Sequence, residues 1–211
     1  MTALGVQRLG VQRLTYADYL ALEAESGLRH EFWSGEVWAM TGGSMDHSLL
    51  KTAAVMLLGP ALRAAGRPCR LLDSDAKLWL GASDMAVYPD LSVVCGPILR
   101  PPHDPNAAVN PVLVMEVLSP STAHRDLGLK RAAYMRVPGL QHMLFVHAER
   151  VEVERWTRLT DGAWEVRSFG PGAQMPLPGL EPAPTTDPSI IIEIDALYAN
   201  TELIEATRAQ A

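Results

Sequence analysis

No apolar run in this chain approaches the ~20 residues that cross a bilayer, so a membrane-spanning protein is not expected. The N-terminus lacks a leader pattern, because Arg8 and Arg13 interrupt any apolar stretch there, and the expected compartment is the cytoplasm. Cysteine is scarce. Cys69 and Cys95 are the two copies, with no CxxC and no Cys/His cluster, which argues against zinc and reads as two small buried thiols. Positive charge is also short. Lys and Arg total 18 against 24 Asp and Glu, a net charge of −6, which argues against broad, nonspecific nucleic-acid binding. It leaves a nuclease open, since acidic metal-ligand clusters themselves lower the pI and a local basic patch can coexist with a negative total. No phosphate-binding loop, dinucleotide fingerprint or Gly-x-Ser-x-Gly elbow is present.

What is present suits one ordinary domain: 211 residues, 48% hydrophobic and 20% charged. Residues 5–9 and 10–14 repeat Gly-Val-Gln-Arg-Leu. Two copies of five residues do not make a repeat architecture, so residues 1–14 read as a mobile extension and 15–211 as the domain. Thr15 and Asp18 form a capping pattern for a helix near 16–25. Residues 31–40 read as a hairpin turning at Ser34-Gly35. A mostly buried helix is expected over 46–65, with Pro60 kinking it or ending it early. Strands follow near 69–80, 89–95 and 111–118, the last two separated by an exposed Pro-rich loop (97–111). A second helix over 124–136 precedes strands near 142–148, 150–158 and 163–169, a Pro/Gly-rich stretch over 170–188 and a mixed strand and helix tail. The fold class is α/β, an α+β mixed sheet covered by helices. Its core order is helix, three strands, helix, strand, with an N-terminal hairpin and a C-terminal meander.

One carboxylate stands out. Glu116 lies within Val112-Leu113-Val114-Met115-Glu116-Val117-Leu118, where burial is costly unless a metal ion or a paired cation meets it. Alternation along a strand puts Val112, Val114, Glu116 and Leu118 on one face, and Asp90, Ser92 and Val94 on one face of theirs. If these strands are neighbours, Asp90 and Glu116 meet. Hard oxygen ligands with room for water suit Mg²⁺ or Mn²⁺, and Lys130 on the following helix could reach a metal-bound water or a phosphoryl oxygen. The bland alternative is an edge-exposed or ion-paired Glu, a turn Asp and a solvated Lys. His47 is open between a phosphate or metal contact and a helix-capping role. Trp33 and Trp38 are open between base stacking and packing. Asp73, Asp75 and Lys77 read as solvated or ion-paired, and His124, His142 and His147 as surface or sheet residues.

The runs Tyr88-Pro89-Asp90-Leu91-Ser92-Val93-Val94-Cys95-Gly96 and Val114-Met115-Glu116-Val117-Leu118-Ser119-Pro120-Ser121-Thr122, followed by Arg125-Asp126-Leu127-Gly128-Leu129-Lys130, resemble the Uma2 family of restriction endonucleases in the PD-(D/E)XK nuclease superfamily. Arg29-His30-Glu31, Ser34-Gly35-Glu36, Asp46-His47 and Val151-Glu152-Val153 add to the resemblance, which spans roughly residues 15–200. It implies a restriction-endonuclease-like core and a Mg²⁺- or Mn²⁺-dependent endonuclease acting on DNA. It also implies metal ligands at Asp90 and Glu116, with Glu31 as a third acid. The superfamily usually places a lysine two residues after the second acid. Leu118 stands there, so Lys130 supplies the cation from the helix. Cutting both strands of a duplex calls for two sites and hence a homodimer. One departure is His142-Met143, where the family tends to carry Glu-Tyr. With the acidic balance, it motivates an alternative: a catalytically impaired nuclease fold serving as a dimeric binding or regulatory module.

Overall fold

The structure, a computed structural model, describes residues 7–8, 13–40, 42–120, 123–180 and 190–208. Most of the expected N-terminal extension, part of the Pro/Gly-rich stretch (181–188) and Ser121-Thr122 lie outside them. Gln7–Arg8 (β1) pairs antiparallel with Glu36–Ala39 (β3). The capping box is formed: Thr15 Oγ1 accepts from the Asp18 backbone N–H and Asp18 Oδ2 from that of Thr15. Together they start α1 (Tyr16–Ser26), which ends at Gly27 with φ 64°.

The strand His30–Trp33 (β2) pairs with β3 so that Trp33 lies opposite Glu36, leaving a two-residue turn. Ser34 (φ 46°) and Gly35 (φ 89°) both take positive φ, as a type I′ turn demands. A Cβ on Gly35 would fall 2.9 Å from the Arg13 Cβ and 3.2 Å from the Leu14 carbonyl oxygen. Gly35→Ala should therefore cost about 2 kcal/mol from the strained φ plus this crowding, read as a lower urea midpoint. An unchanged midpoint would show that the turn relaxes.

The helix α2 (Met45–Ala64) starts at Ser44, whose Oγ accepts the His47 N–H, and it continues through Pro60. It buries Leu50, Ala53, Ala54, Leu58 and Leu62, while Val55 and Met56 face outward, so its apolar content exceeds its buried face. The expected single strand over 69–80 is two: Cys69–Asp73 (β4) and Lys77–Leu80 (β5), in different sheets. The polar Ser74-Asp75 turn redirects the chain between them. A 3₁₀ turn (Gly81–Ser83) and Met85–Val87 (β6) lead to Leu91–Cys95 (β7).

Cys69 lies directly opposite Cys95 in the β4–β7 register, and the two form a disulfide. This corrects the reading of two separate thiols, because residues directly opposite across an antiparallel pair point the same way. The 97–111 loop is also less exposed than its composition suggested. Asp104 is buried against Lys77 (2.9 Å), and Ala107–Ala108 (β8) pairs with β5. Lys77 is itself buried and ion-paired, to Glu23 (3.0 Å) as well.

Next come Leu113–Leu118 (β9), then a helical run in three parts: α3 (Ala123–Arg125), a π turn (Asp126–Lys130) and α4 (Arg131–Tyr134). It carries the chain to His142–His147 (β10), parallel to β9. The strands Val153–Arg158 (β11) and Trp164–Phe169 (β12) complete a six-stranded sheet of order β12-β11-β10-β9-β7-β4. The other six-stranded sheet runs β1-β3-β2-β6-β5-β8. A third, of Gln174–Leu177 (β13) and Ile190–Glu193 (β14), precedes two short helices, α5 (Ile194–Leu197) and α6 (Glu202–Arg208).

The β12-to-β4 sheet separates two cores, with β9 threading between them. Leu113, Met115 and Val117 pack with α2 and the C-terminal elements. Val114 and Leu118 pack with Tyr134, Val137, Phe145 and the other sheet's Leu78 and Val87. Glu116 belongs by alternation to the second of these faces.

Candidate active site

The register places the two acids. In the β7–β9 pair, Leu91 lies opposite Met115. One residue further, at the end of β7, Asp90 comes opposite Glu116, and opposed residues of an antiparallel pair share a face. Both line a cleft of about 580 Å³ that also takes in Glu31, His47, Lys51, Arg125, Asp126 and Lys130. All four residues singled out from sequence, Asp90, Glu116, Lys130 and Glu31, thus open onto one space.

The floor is a web of buried charge. Lys130 Nζ lies 2.9 Å from Glu31 Oε1, 3.2 Å from Glu116 Oε1 and 3.2 Å from Asp126 Oδ1. Tyr134 donates its hydroxyl to the same Glu116 oxygen at 2.6 Å. Arg125 Nη2 pairs with Glu31 Oε2 at 2.9 Å, and its guanidinium lies over the Trp38 ring. Trp38 in turn stacks with Trp33. The Tyr88 backbone N–H donates to Glu31 Oε1. Spacings of four residues set Asp126, Lys130 and Tyr134 along one inward side of the helix. The intervening π turn, a distortion that recurs at functional sites, belongs to the same segment. Sequence alone gave neither Asp126 nor Tyr134 a role. Their spacing from Lys130 was the available signal.

Asp90 sits at the rim of this web. Its Oδ1 meets His47 Nε2 at 2.8 Å and Lys51 Nζ at 3.7 Å, and its Oδ2 accepts the Val117 N–H at 2.7 Å. Burial would raise its pKa, but the His47 and Val117 hydrogen bonds and the Lys51 charge outweigh it, and the carboxyl is held below its ordinary value. Glu116 shows the opposite. Burial, reinforced by Asp126, Asp90 and Glu31, overcomes the pull of Lys130 and pushes it well above the usual range. For Lys130, burial is outweighed by Asp126, Glu116 and Glu31, which drive its ammonium pKa up. Burial and the Glu116 charge raise Tyr134.

Among the described residues, no three His, Cys, Asp or Glu side chains gather with the spacing of a formed metal cage. The groups that would hold a cation here are the hard carboxylate oxygens of Asp90 and Glu116. Burial first, and then the Asp126, Asp90 and Glu31 charges, push Glu116 towards its protonated form; a divalent cation would offset those charges, and Mg²⁺ commonly takes one or two carboxylates and fills its sphere with water.

Residues 16–189 match the family described as "Uma2: Putative restriction endonuclease". The chain belongs to the Uma2 family. Two uncharacterized proteins of Synechocystis sp. are similar to this Uma2 chain along most of their length. For slr1290, 33% of 157 residues are identical, covering 74% of this chain and 80% of that protein. For sll1609, 32% of 151 residues are identical, covering 72% and 84%. The Uma2 chain also shares its fold with a crystal structure from Anabaena variabilis described as "a putative nuclease belonging to DUF820". The TM-score is 0.69, covering 88% of this chain and 98% of that one at 18% identity. The mixed α/β architecture expected from sequence is thus that of a nuclease-like fold. No helix among the described residues is long and apolar enough to cross a membrane.

Proposed function

We propose that this Uma2 protein is a Mg²⁺- or Mn²⁺-dependent endonuclease that hydrolyses DNA phosphodiester bonds and acts as a homodimer, one site for each strand. The observation that carries the reading is the facing placement of Asp90 and Glu116 in one cleft, beside Lys130. Asp90 and Glu116 would hold the metal, which supplies charge neutralisation and acidifies a bound water. The chain's own groups do the rest. Val117 N–H and His47 fix the Asp90 carboxylate, and Tyr134 and Lys130 hold Glu116 by one oxygen. Glu31 anchors Lys130 and Arg125 at the cleft floor, and Lys130 supplies fixed positive charge close to where a phosphoryl group would sit.

The alternative of an impaired binding module drew on His142-Met143. His142 is buried, bonded to Thr157 Oγ1 and the Pro178 carbonyl, and Met143 lies in the core. Neither lines the cleft. Phe145 is the β10 residue beside Glu116, so His142 lies about 10 Å further down the strand. The departure therefore bears on packing, and the nuclease reading is preferred.

The test pairs a cleavage assay on varied DNA with Mn²⁺ calorimetry. The wild type should cut only with Mg²⁺ or Mn²⁺ and bind Mn²⁺, and Asp90→Asn should lose both. Absence of Mn²⁺ binding by a folded wild type would favour the module.

A further inference from the structure

Two helices bring lysines to the cleft from opposite faces of one sheet: α2 from the Met115 side, and the π turn with α4 from the Val114 side. Their ammonium groups differ in what they have left to offer. Lys130 meets three carboxylates with its three N–H donors, and its side chain is 8% exposed. Lys51 has one hydroxyl, Ser74 Oγ at 3.3 Å, and one long ion pair, Asp90 at 3.7 Å, with a side chain 29% exposed. Both Lys51 and Ser74 line the cleft. Since Ser74 Oγ accepts from Lys51, its own O–H remains a donor. Ser74 lies in the turn that crosses from β4 to β5, and its neighbour Asp75 holds Arg29, another cleft-lining cation, at 2.7 Å.

We infer that Lys51 and Ser74 form a subsite for a backbone phosphate flanking the one that Asp90 and Glu116 address. This rests on the nuclease reading and adds to it. Lys130, spent on the three carboxylates, lends its charge at the scissile group, and Lys51 is the cation that meets the flanking phosphate. An ammonium and a hydroxyl side by side donate to a phosphate's oxygens without reading bases. The subsite is therefore indifferent to sequence and sensitive to salt.

The experiment is fluorescence anisotropy of a labelled oligonucleotide, single-stranded and duplex, titrated with the whole chain in Ca²⁺ across ~50–200 mM salt. Lys51→Gln should bind several-fold more weakly, and its log K against log [salt] slope should shrink by about 0.7 on the single strand or about 0.9 on the duplex. Lys51→Arg should keep the wild-type slope. Ser74→Ala should weaken binding with the slope unchanged, since no charge is lost. The urea midpoint of Lys51→Gln should stay close to that of the wild type, which reports an intact fold. A wild-type slope in Lys51→Gln, with wild-type binding and cleavage intact, overturns the subsite and spares the nuclease reading. A wild type that neither binds in Ca²⁺ nor cuts in Mg²⁺ or Mn²⁺ overturns both.

Discussion

Glu116→Gln should abolish metal-dependent cleavage, by on the order of 10³-fold or more, while leaving the metal-free protein at least as stable as the wild type near neutral pH. The amide keeps an oxygen for the Tyr134 hydroxyl and Lys130, which bind Oε1, and cannot ionise on a floor already crowded with Glu31 and Asp126. The sign of the pH effect follows. Burial, then Asp126, Asp90 and Glu31, hold the Glu116 carboxyl well above its ordinary value of 4.5. Once pH exceeds that value, the native protein keeps a proton that the unfolded chain has released. The associated stability is complete below 4.5 and is lost as pH rises through the raised native pKa. Asp90, held low, contributes in the opposite sense, and its share disappears only as pH falls below the ordinary carboxylate range. Urea unfolding in EDTA from about pH 5 to about pH 8 should therefore show wild-type stability falling relative to Glu116→Gln. Parallel curves would mean that Glu116 carries no unusual proton. Retained cleavage in the variant would remove it from the site.

Lys130→Met should be the most damaging substitution to the fold. It leaves Glu31, Glu116 and Asp126, each about 95% buried or more, without their shared ammonium. Removing one partner of a buried charge cluster costs about 3–5 kcal/mol, and in a chain of this size each kcal/mol moves Tm by about 2–4 °C. A fall of about 6–20 °C is expected at neutral pH. Calorimetry reads it. A Tm within a few degrees of the wild type would show that Arg125 alone balances the acids.

The local rules of strand alternation and turn chemistry made several features legible. Glu116 stands alone in an aliphatic strand, so its face followed from alternation, and Asp90 came with it once β7 and β9 were neighbours. The Ser34-Gly35 turn and the Thr15–Asp18 box are set by residues within four positions of each other. What escaped depends on chain segments far apart in sequence. Lys77 finds Asp104 and Glu23, Asp90 finds His47, and Cys69 finds Cys95. Each partner is fixed by sheet pairing or helix docking, and composition alone does not encode it. The break of 69–80 into two strands was visible in Ser74-Asp75, but the apolar residues on either side masked it. Tyr134 was hidden for a different reason. A tyrosine on a helix beside an apolar core reads as packing until the strand opposite is known to carry a carboxylate.

The threading of β9 between two cores has a consequence for how this chain can change. A one-residue slip along that strand would turn Glu116 into the aliphatic layer beneath α2 and lift Val117 towards the cleft. The same shift that disarms the chemistry would bury a charge in oil. Loops at either end can lengthen only if the pairing with β7 and β10 stays in step, so length variation in relatives that keep the cleft should spare residues 113–118 altogether.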